Sequence, residues 1–129
     1  MPTLNFMPRM VDPILGGTKV HTVRFGKRAY RPGQNLQMQT GSRYKPTRFI
    51  TLPCTRVRGI RLSSVCVSIW SDVDLSFIVP ARNLFARCDG FEDWEDLLHW
   101  LDLKPGERRD GRLIQWAPAI WESSGEHRP

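Results

Sequence analysis

The sequence has few residues of the kinds that cross-link a fold or bind metals. It contains three cysteines and three histidines in 129 residues, and neither set has a paired spacing. Scattered cysteines are typical of reduced thiols rather than of a disulfide framework. Dispersed histidines give neither zinc-ligand spacing nor a Cys-His catalytic pairing, so we expect no metal ion and no other cofactor. The residues concerned are Cys54, Cys66, Cys88, His21, His99 and His127.

Long apolar runs are also missing. No stretch approaches the roughly 18 apolar residues of a membrane span, and the start Met-Pro-Thr-Leu-Asn lacks the charged and apolar regions of a signal peptide. The expected location is therefore cytoplasmic. A chain of 129 residues with 40% hydrophobic content has room for a single core, and we expect one domain over 1–122 with a flexible tail over 123–129.

Acidic residues are scarce in the first half. Residues 1–61 carry 12 lysines and arginines against one acid, Asp12, whereas residues 62–129 carry 7 against 12 acids, which gives net charges of +11 and −5. Tyr30 and Tyr44 lie among the cations of the first half. Aromatic rings between cations are what single-stranded nucleic acids bind, although a basic solvated face has the same composition.

Hydrophobic patterning predicts a mixed α+β chain. β-Branched and alternating segments predict strands, and Trp94, Leu97, Leu98 and Leu101 predict one face of a helix that starts at a capping Asp93. Together the strands would close much of a small mixed β-barrel with flanking helices. The predicted strands are Thr3–Met7, Val20–Phe25, Leu36–Thr40, Arg48–Arg58, Ile60–Trp70 and Leu113–Trp116; Pro8–Leu15 is predicted to be helical, and Arg43–Thr47 and 107–112 are predicted to be charged loops.

The stretch between Gly16 and Gly33 carries the most chemistry. Lys19, Thr22 and Arg24 stand within six residues of one another, where a strand begins after a glycine turn. A lysine becomes a useful base when burial and a neighbouring cation lower its pKa. A threonine hydroxyl attacks a carbonyl only with a base in reach, and a contact between Lys19 and Thr22 requires a bend, because strand side chains alternate. Three solvated surface residues would give the same spacing.

His21 lies inside this cluster and has two interpretations. It could carry a proton, or it could be a packing and hydrogen-bonding residue of the strand, which is the commoner role of a lone histidine on a strand.

The order of these motifs resembles an ASCH domain of the PUA-like superfamily. The resemblance rests on Ile14-Leu15-Gly16-Gly17, Lys19-x-x-Thr22-x-Arg24, Arg31-Pro32-Gly33, Asp89-Gly90-Phe91 and Leu113-Ile114-x-Trp116, and so spans nearly the whole chain. The segment Thr40 to Lys45 resembles the versions found in bacterial and prophage genomes. The resemblance implies the small PUA-like β-barrel.

The resemblance also implies two functions. Many ASCH domains are regarded as RNA-binding modules, and some small bacterial members are amidohydrolases that remove the acyl group from N4-acetylcytidine and related nucleosides. The lysine and threonine of that catalytic set correspond to Lys19 and Thr22. The acidic member is a glutamate just ahead of the downstream helix, where this sequence offers Asp89, with Glu92 three residues on.

Asp89 is the preferred acid, and an aspartate there could protonate a leaving amine or hold the lysine. Its simpler role is to accept hydrogen bonds from backbone amides of the Gly90 turn. The expected substrate-binding residues are Arg24, Phe6, Tyr30, Tyr44 and Lys45. The expected partner is an N4-acylated cytidine nucleoside or an RNA, with no membrane, and the protein could be a monomer or a dimer.

Overall fold

The computed structural model describes residues 2–42, 44–70 and 76–124. Its strands are β1 (Thr3–Phe6), β2 (His21–Arg24), β3 (Asn35–Ser42), β4 (Lys45–Pro53), β5 (Arg56–Ser63), β6 (Val67–Trp70), β7 (Phe77–Ile78) and β8 (Arg108–Gln115). Its helices are α1 (Val11–Gly16), α2 (Arg82–Cys88), α3 (Trp94–Leu101) and α4 (Ile120–Ser124), with a 3-10 turn at Pro8–Met10. The chain is thus an α+β protein, as predicted.

The described strands form two sheets. In the smaller sheet, of order β1-β3-β4, β1 runs parallel to β3 and β3 runs antiparallel to β4. The larger sheet has the order β2-β8-β5-β6-β7 and is antiparallel throughout. Hydrogen bonds between these strands do not close a barrel, so the barrel remains an expectation.

β2 is buried on both faces. His21, Thr22 and Val23 are all buried, whereas in β5 only every second residue from Arg58 to Leu62 is buried. A strand covered on both sides buries consecutive side chains instead of every second one. Lys19, His21 and Thr22 of the sequence motif lie in the interior of the protein, so the interpretation of this motif as solvated surface is wrong for Lys19 and Thr22, whereas Arg24 is partly exposed.

Two predicted loops are strands. The predicted basic loop Arg43–Thr47 is wrong from Lys45 onward, where β4 begins, and Arg43 lies outside the described residues. The predicted charged loop 107–112 is wrong from Arg108 onward, where β8 begins. Charged residues are compatible with a strand there because alternate side chains of β8 face solvent, where Asp110 pairs with Arg61 of β5 at 2.7 Å.

The predicted strand Arg48–Arg58 is two strands. β4 ends at Pro53 and β5 begins at Arg56, because proline has no N–H to continue the ladder. β4 is an edge strand of its sheet, as that proline predicts. The predicted strand Ile60–Trp70 is likewise divided, since β5 ends at Ser63 and β6 begins at Val67.

The helix predicted from Asp93 is confirmed as α3. The Asp93 carboxylate accepts a hydrogen bond from the Asp96 backbone N–H at 2.9 Å, which is the N-cap interaction. Trp94, Leu97 and Leu101 face the core.

The last described element, α4, runs to Ser124. It therefore includes the first two residues of the predicted tail, and 125–129 lie outside the described residues. Among the described helices, none is long and apolar enough to cross a membrane.

Candidate active site

The turn between α1 and β2 directs Lys19 into the protein. α1 ends at Gly17, whose φ of +87° is one that glycine adopts without strain. The Lys19 N–H then donates to the Pro13 carbonyl at 2.9 Å, and the Val20 N–H donates to the Cys88 carbonyl at 2.8 Å. The second bond ties the turn to the end of α2, and Lys19 is left only 2% exposed.

Gly90 makes room for the lysine side chain. Its φ is +95°, and a Cβ at this position would lie 2.5 Å from Met10 Sδ and 2.8 Å from Lys19 Cδ. A side chain at position 90 would therefore displace the aliphatic part of Lys19. This is a steric reason for a glycine directly after Asp89.

The Lys19 amine is held by two carbonyls and faces a carboxylate. Nζ donates to the carbonyl oxygen of His21 at 2.9 Å and to that of Asp89, and it lies 3.8 Å from Asp89 Oδ1. Burial lowers the pKa of Lys19 to about 8, with the positive charges of Arg24 and Arg9 acting in the same direction and Asp89 acting against them. About a tenth of the amine is then neutral at pH 7, with two N–H groups bonded and a lone pair available.

A cavity of about 180 Å³ is lined by Phe6 and Asp89, the two side chains that Lys19 Nζ approaches, but Lys19 itself is not one of its lining residues. Thr22, Arg24 and Asp89 contribute its polar groups, and most of the remaining lining is apolar. The other lining residues are Asn5, Phe6, Met7, Met10, Val23, Phe25, Phe91 and Trp100.

Thr22 lines the cavity from the middle of β2. Among the described residues, no hydrogen bond joins its hydroxyl to Lys19, whose amine donates to the carbonyls of His21 and Asp89. The two side chains border the same ring and carboxylate, since Thr22 lines the cavity with Phe6 and Asp89, and Lys19 Nζ lies 5.5 Å from the Phe6 ring centroid. Catalytic hydrogen bonds are often long before substrate binds.

Arg24 lies on the same face of β2 as Thr22 and reaches toward β1. Its Nη2 donates to the Asn5 carbonyl at 2.9 Å, and its Cζ lies 4.8 Å from the Phe6 ring centroid. Its Nε is buried, and among the described residues it has no hydrogen-bond partner. Burial lowers the pKa of Arg24 from its ordinary value, but a guanidinium remains charged at neutral pH. The cavity thus contains a cation with a donor to spare.

Asp89 is buried at the end of α2, and its carboxylate faces inward. Asp89 Oδ1 lies 2.8 Å from His21 Nδ1, so the carboxylate contacts the imidazole of His21 on β2 as well as facing the lysine. Glu92 is exposed and does not line the cavity. Of the two acids named from the sequence, the structure brings Asp89 to Lys19.

Three expected substrate-binding residues lie elsewhere. Tyr30 lines a separate cavity of about 500 Å³ with Trp70 and Arg112, although it lies near enough to Arg24 to influence the pKa of that side chain. Tyr44 is 82% exposed, in the turn between β3 and β4, and Lys45 is the first residue of β4. Phe6 and Arg24 do line the cavity.

An aromatic wall of this cavity is not evident from the sequence. The rings of Phe91 and Trp100 lie 5.7 Å apart at 44°, and Trp100 is 47% exposed. Trp100 lines the cavity together with Phe91. The signal in the sequence is that Trp100 does not belong to the apolar stripe of α3 and so does not face the core with that stripe.

Comparisons with known proteins yield no relative: no family model matches the chain, and neither a curated protein nor a solved structure matches it significantly. The site must therefore be interpreted from its own geometry. Among residues 2–42, 44–70 and 76–124, no group of three or more His, Cys, Asp and Glu side chains is placed to hold a metal ion.

The buried lysine predicts a pH-dependent stability. Because its pKa is about 8 when folded and 10.5 ordinarily, the unfolded chain binds more protons between these values, and stability should rise with pH across this window. The wild-type free energy of unfolding should gain up to about 3 kcal/mol relative to Lys19→Met between pH 8 and 10.5. Urea denaturation of both proteins measures this difference, and parallel curves would show that Lys19 has an ordinary pKa.

Proposed function

We propose that the protein is an amidohydrolase that removes the acyl group from N4-acylated cytidine nucleosides. The observation that carries the proposal is the buried Lys19 amine, whose pKa of about 8 suits a base and which lies 3.8 Å from the carboxylate of Asp89, a residue that lines a cavity together with Thr22 and Arg24. The resemblance to the ASCH domain supplies the substrate class. On this proposal the two sheets correspond to the PUA-like barrel of that family.

In the first half of the reaction, neutral Lys19 accepts the proton of the Thr22 hydroxyl, and Thr22 Oγ1 bonds to the acyl carbon. The carbonyl oxygen becomes an oxyanion, which Arg24 stabilises with its charge and its free Nε–H. When the carbon–N4 bond breaks, the Lys19 ammonium returns the proton to N4. Cytidine leaves, and the acyl group remains on Thr22 as an ester.

In the second half, water hydrolyses the ester. Lys19 accepts a proton from the water, the hydroxyl adds to the acyl carbon, and the carbon–Oγ1 bond breaks with return of the proton to Thr22. The free acid is released and both side chains are restored. The Asp89 carboxylate is bonded to His21, and the Asp89 backbone carbonyl accepts from Lys19 Nζ, so the proposed role of Asp89 is to hold the lysine through that carbonyl rather than to protonate the leaving amine.

The aromatic wall and the neighbouring methionines fit the pyrimidine ring and the acyl group of such a substrate. A pyrimidine ring stacks on aromatic side chains, and Phe91 with Trp100 offers such a surface next to the polar groups. Met7 and Met10 add flexible apolar surface that adapts to acyl groups of different shapes.

The direct test is to incubate the purified protein with N4-acetylcytidine and with N4-benzoylcytidine and to follow cytidine release by chromatography. Release from either compound supports the proposal, and release from neither compound contradicts it. The catalytic variants described in the Discussion show whether a release belongs to this site.

A second candidate function, RNA binding, is favoured by the hairpin of β3 and β4. Tyr44 is 82% exposed, and Lys45 and Arg48 are exposed near it. An exposed aromatic ring beside cations suits a single-stranded base and its phosphates.

On this alternative, affinity for a single-stranded RNA should fall steeply between roughly 50 and 200 mM salt, and Lys45→Ala and Arg48→Ala should each lower the salt slope by about 1. Lys104→Ala, an exposed lysine in the acidic half, is the matched control. Fluorescence anisotropy measures the affinities. Equal slopes for all variants, or no binding at low salt, would exclude this surface as an RNA site.

A further inference from the structure

Behind Asp89, a row of buried side chains extends the site into the C-terminal part of the chain. Trp121 Nε1 donates to His21 Nε2 at 2.8 Å, His21 Nδ1 lies 2.8 Å from Asp89 Oδ1, and that oxygen lies 3.8 Å from Lys19 Nζ. His21 is completely buried and Trp121 is 2% exposed. The row therefore connects α4 through β2 to the amine by side chains that are all buried.

The chemistry of the indole determines the protonation of the histidine. An indole N–H can only donate, so His21 Nε2 must accept and the ring proton lies on Nδ1. The Nδ1–H then donates to the Asp89 carboxylate. Burial also lowers the pKa of His21, which keeps the ring neutral. The histidine cannot take up a proton on Nε2 without losing Trp121, so it directs a carboxylate and does not carry protons.

Packing fixes the orientation of both rings. His21 stacks on Phe85 of α2 with centroids 4.8 Å apart, and Phe85 lies 5.5 Å from the Trp121 ring. α4 is in turn attached to the larger sheet through Glu122, which pairs with Arg58 at 3.3 Å and accepts from Gln115 at 2.6 Å. The histidine ring is thus held from two sides.

The Asp89 carboxylate lies closer to His21 than to Lys19. Asp89 Oδ1 is at full hydrogen-bonding distance from the imidazole but 3.8 Å from the ammonium, which is longer than the roughly 2.7–2.9 Å of a charge-assisted hydrogen bond. An unrestrained carboxylate would move toward the cation. Such a close pair would stabilise the protonated amine and remove the neutral base from the reaction.

We propose that His21 and Trp121 are positioning residues that hold the Asp89 carboxylate back from a close ion pair with Lys19 and so keep the amine available as a base. The effect of this restraint on catalysis rests on the proposed function. The restraint itself rests only on the contacts of Asp89, His21 and Trp121. Other charged groups also influence the pKa values of Lys19 and His21. Arg24 and Arg9 act on Lys19, and Glu122 acts on His21.

The first test measures the pKa of Lys19 by NMR titration of the ε-carbon signals in protein labelled with 13C-lysine. The chain has four lysines, and the absence of one signal in Lys19→Met assigns Lys19. His21→Leu, which removes the N–H donor, should raise this pKa by about 1, since a freed carboxylate acts on the amine at closer range. His21→Asn carries an amide N–H in place of Nδ1–H and should restore the value of about 8 found for the wild type.

A folded His21→Leu protein with an unchanged or lowered Lys19 pKa would overturn the proposal. Trp121→Phe is the second variant, and it should also raise the pKa of Lys19, by a smaller amount, because it only loosens the histidine.

The wild type provides a measurement that needs no variant: 15N NMR of the three histidines should show His21 as the neutral Nδ1–H form. An Nε2–H form or an imidazolium would contradict the row of donors.

Activity measurements separate this inference from the proposed function. If the wild type hydrolyses N4-acylcytidine, the midpoint of its pH–rate profile should shift upward in His21→Leu together with the NMR value. If it hydrolyses neither compound while the NMR values shift as expected, the restraint is upheld and the proposed reaction is wrong. Hydrolysis by the wild type with an unshifted profile in folded His21→Leu upholds the reaction and rejects the restraint.

Discussion

Replacing Thr22 with alanine is expected to lower the rate of cytidine release from N4-acetylcytidine at least about a hundredfold. The proposed reaction bonds Thr22 Oγ1 to the acyl carbon. Removing a nucleophile that a general base activates lowers the rate by at least this factor. Steady-state rates by chromatography give the fold-change. In the wild type, mass spectrometry of the protein quenched during turnover should detect the acyl group on the peptide that contains Thr22.

Two further substitutions at this position separate the hydroxyl from the shape of the side chain. Thr22→Val keeps the branched shape in a buried strand but has no hydroxyl, so it should match alanine. Thr22→Ser keeps a hydroxyl and should retain measurable turnover. Wild-type rates in Thr22→Val would exclude threonine as the nucleophile and leave water as the attacking group.

Replacing Lys19 with methionine is expected to reduce turnover by a similar factor, at least about a hundredfold, because the base is lost while the apolar stem is kept. In the wild type, the rate should rise about tenfold per pH unit below pH 8 and level off above it, since only the neutral amine accepts a proton and its pKa is about 8. Any residual rate of Lys19→Met should not follow this profile. Rates measured from pH 5.5 to 9.5 test both statements.

Two controls show whether Lys19 acts as a base or only as a charge. Lys19→Arg keeps a cation that does not lose its proton at these pH values, so a folded arginine variant should be as inactive as methionine. Lys27→Met removes an exposed lysine that follows β2 and should leave the rate unchanged. Full activity in Lys19→Arg would assign Lys19 an electrostatic role and reject it as the base.

The local part of the site could be predicted from the sequence. Lys19, Thr22 and Arg24 are close in the chain, and a turn followed by a strand keeps them close in space. Asp89 was accessible only through the resemblance, because it is 68 residues away from its partner His21. The hydrogen bond from Trp121 to His21 spans 100 residues, and a sequence with five tryptophans does not indicate which indole reaches the histidine.

The fold shows the same division between local and distant information. α3 was predictable because its cap and its apolar face lie within nine residues of sequence. α2 was missed because it has seven residues and its first turn has neither a capping side chain nor an acidic residue. The strand predicted at Leu113–Trp116 was too short at its start, because the charged residues before it were interpreted without their partner strand. Arg61 of β5 pairs with Asp110 across the sheet.

The bond between Trp121 and His21 also sets a time at which the site can be completed during synthesis. A ribosome that has added His21 must add another 100 residues before the indole exists, which takes roughly 5 to 20 s at ordinary elongation rates. Over most of that interval the nascent chain already contains Lys19 and Thr22 but lacks the group that fixes the histidine. Until α4 emerges and packs, the indole cannot hold the His21 ring, so the pKa of Lys19 is expected to be higher in the growing chain than in the finished fold.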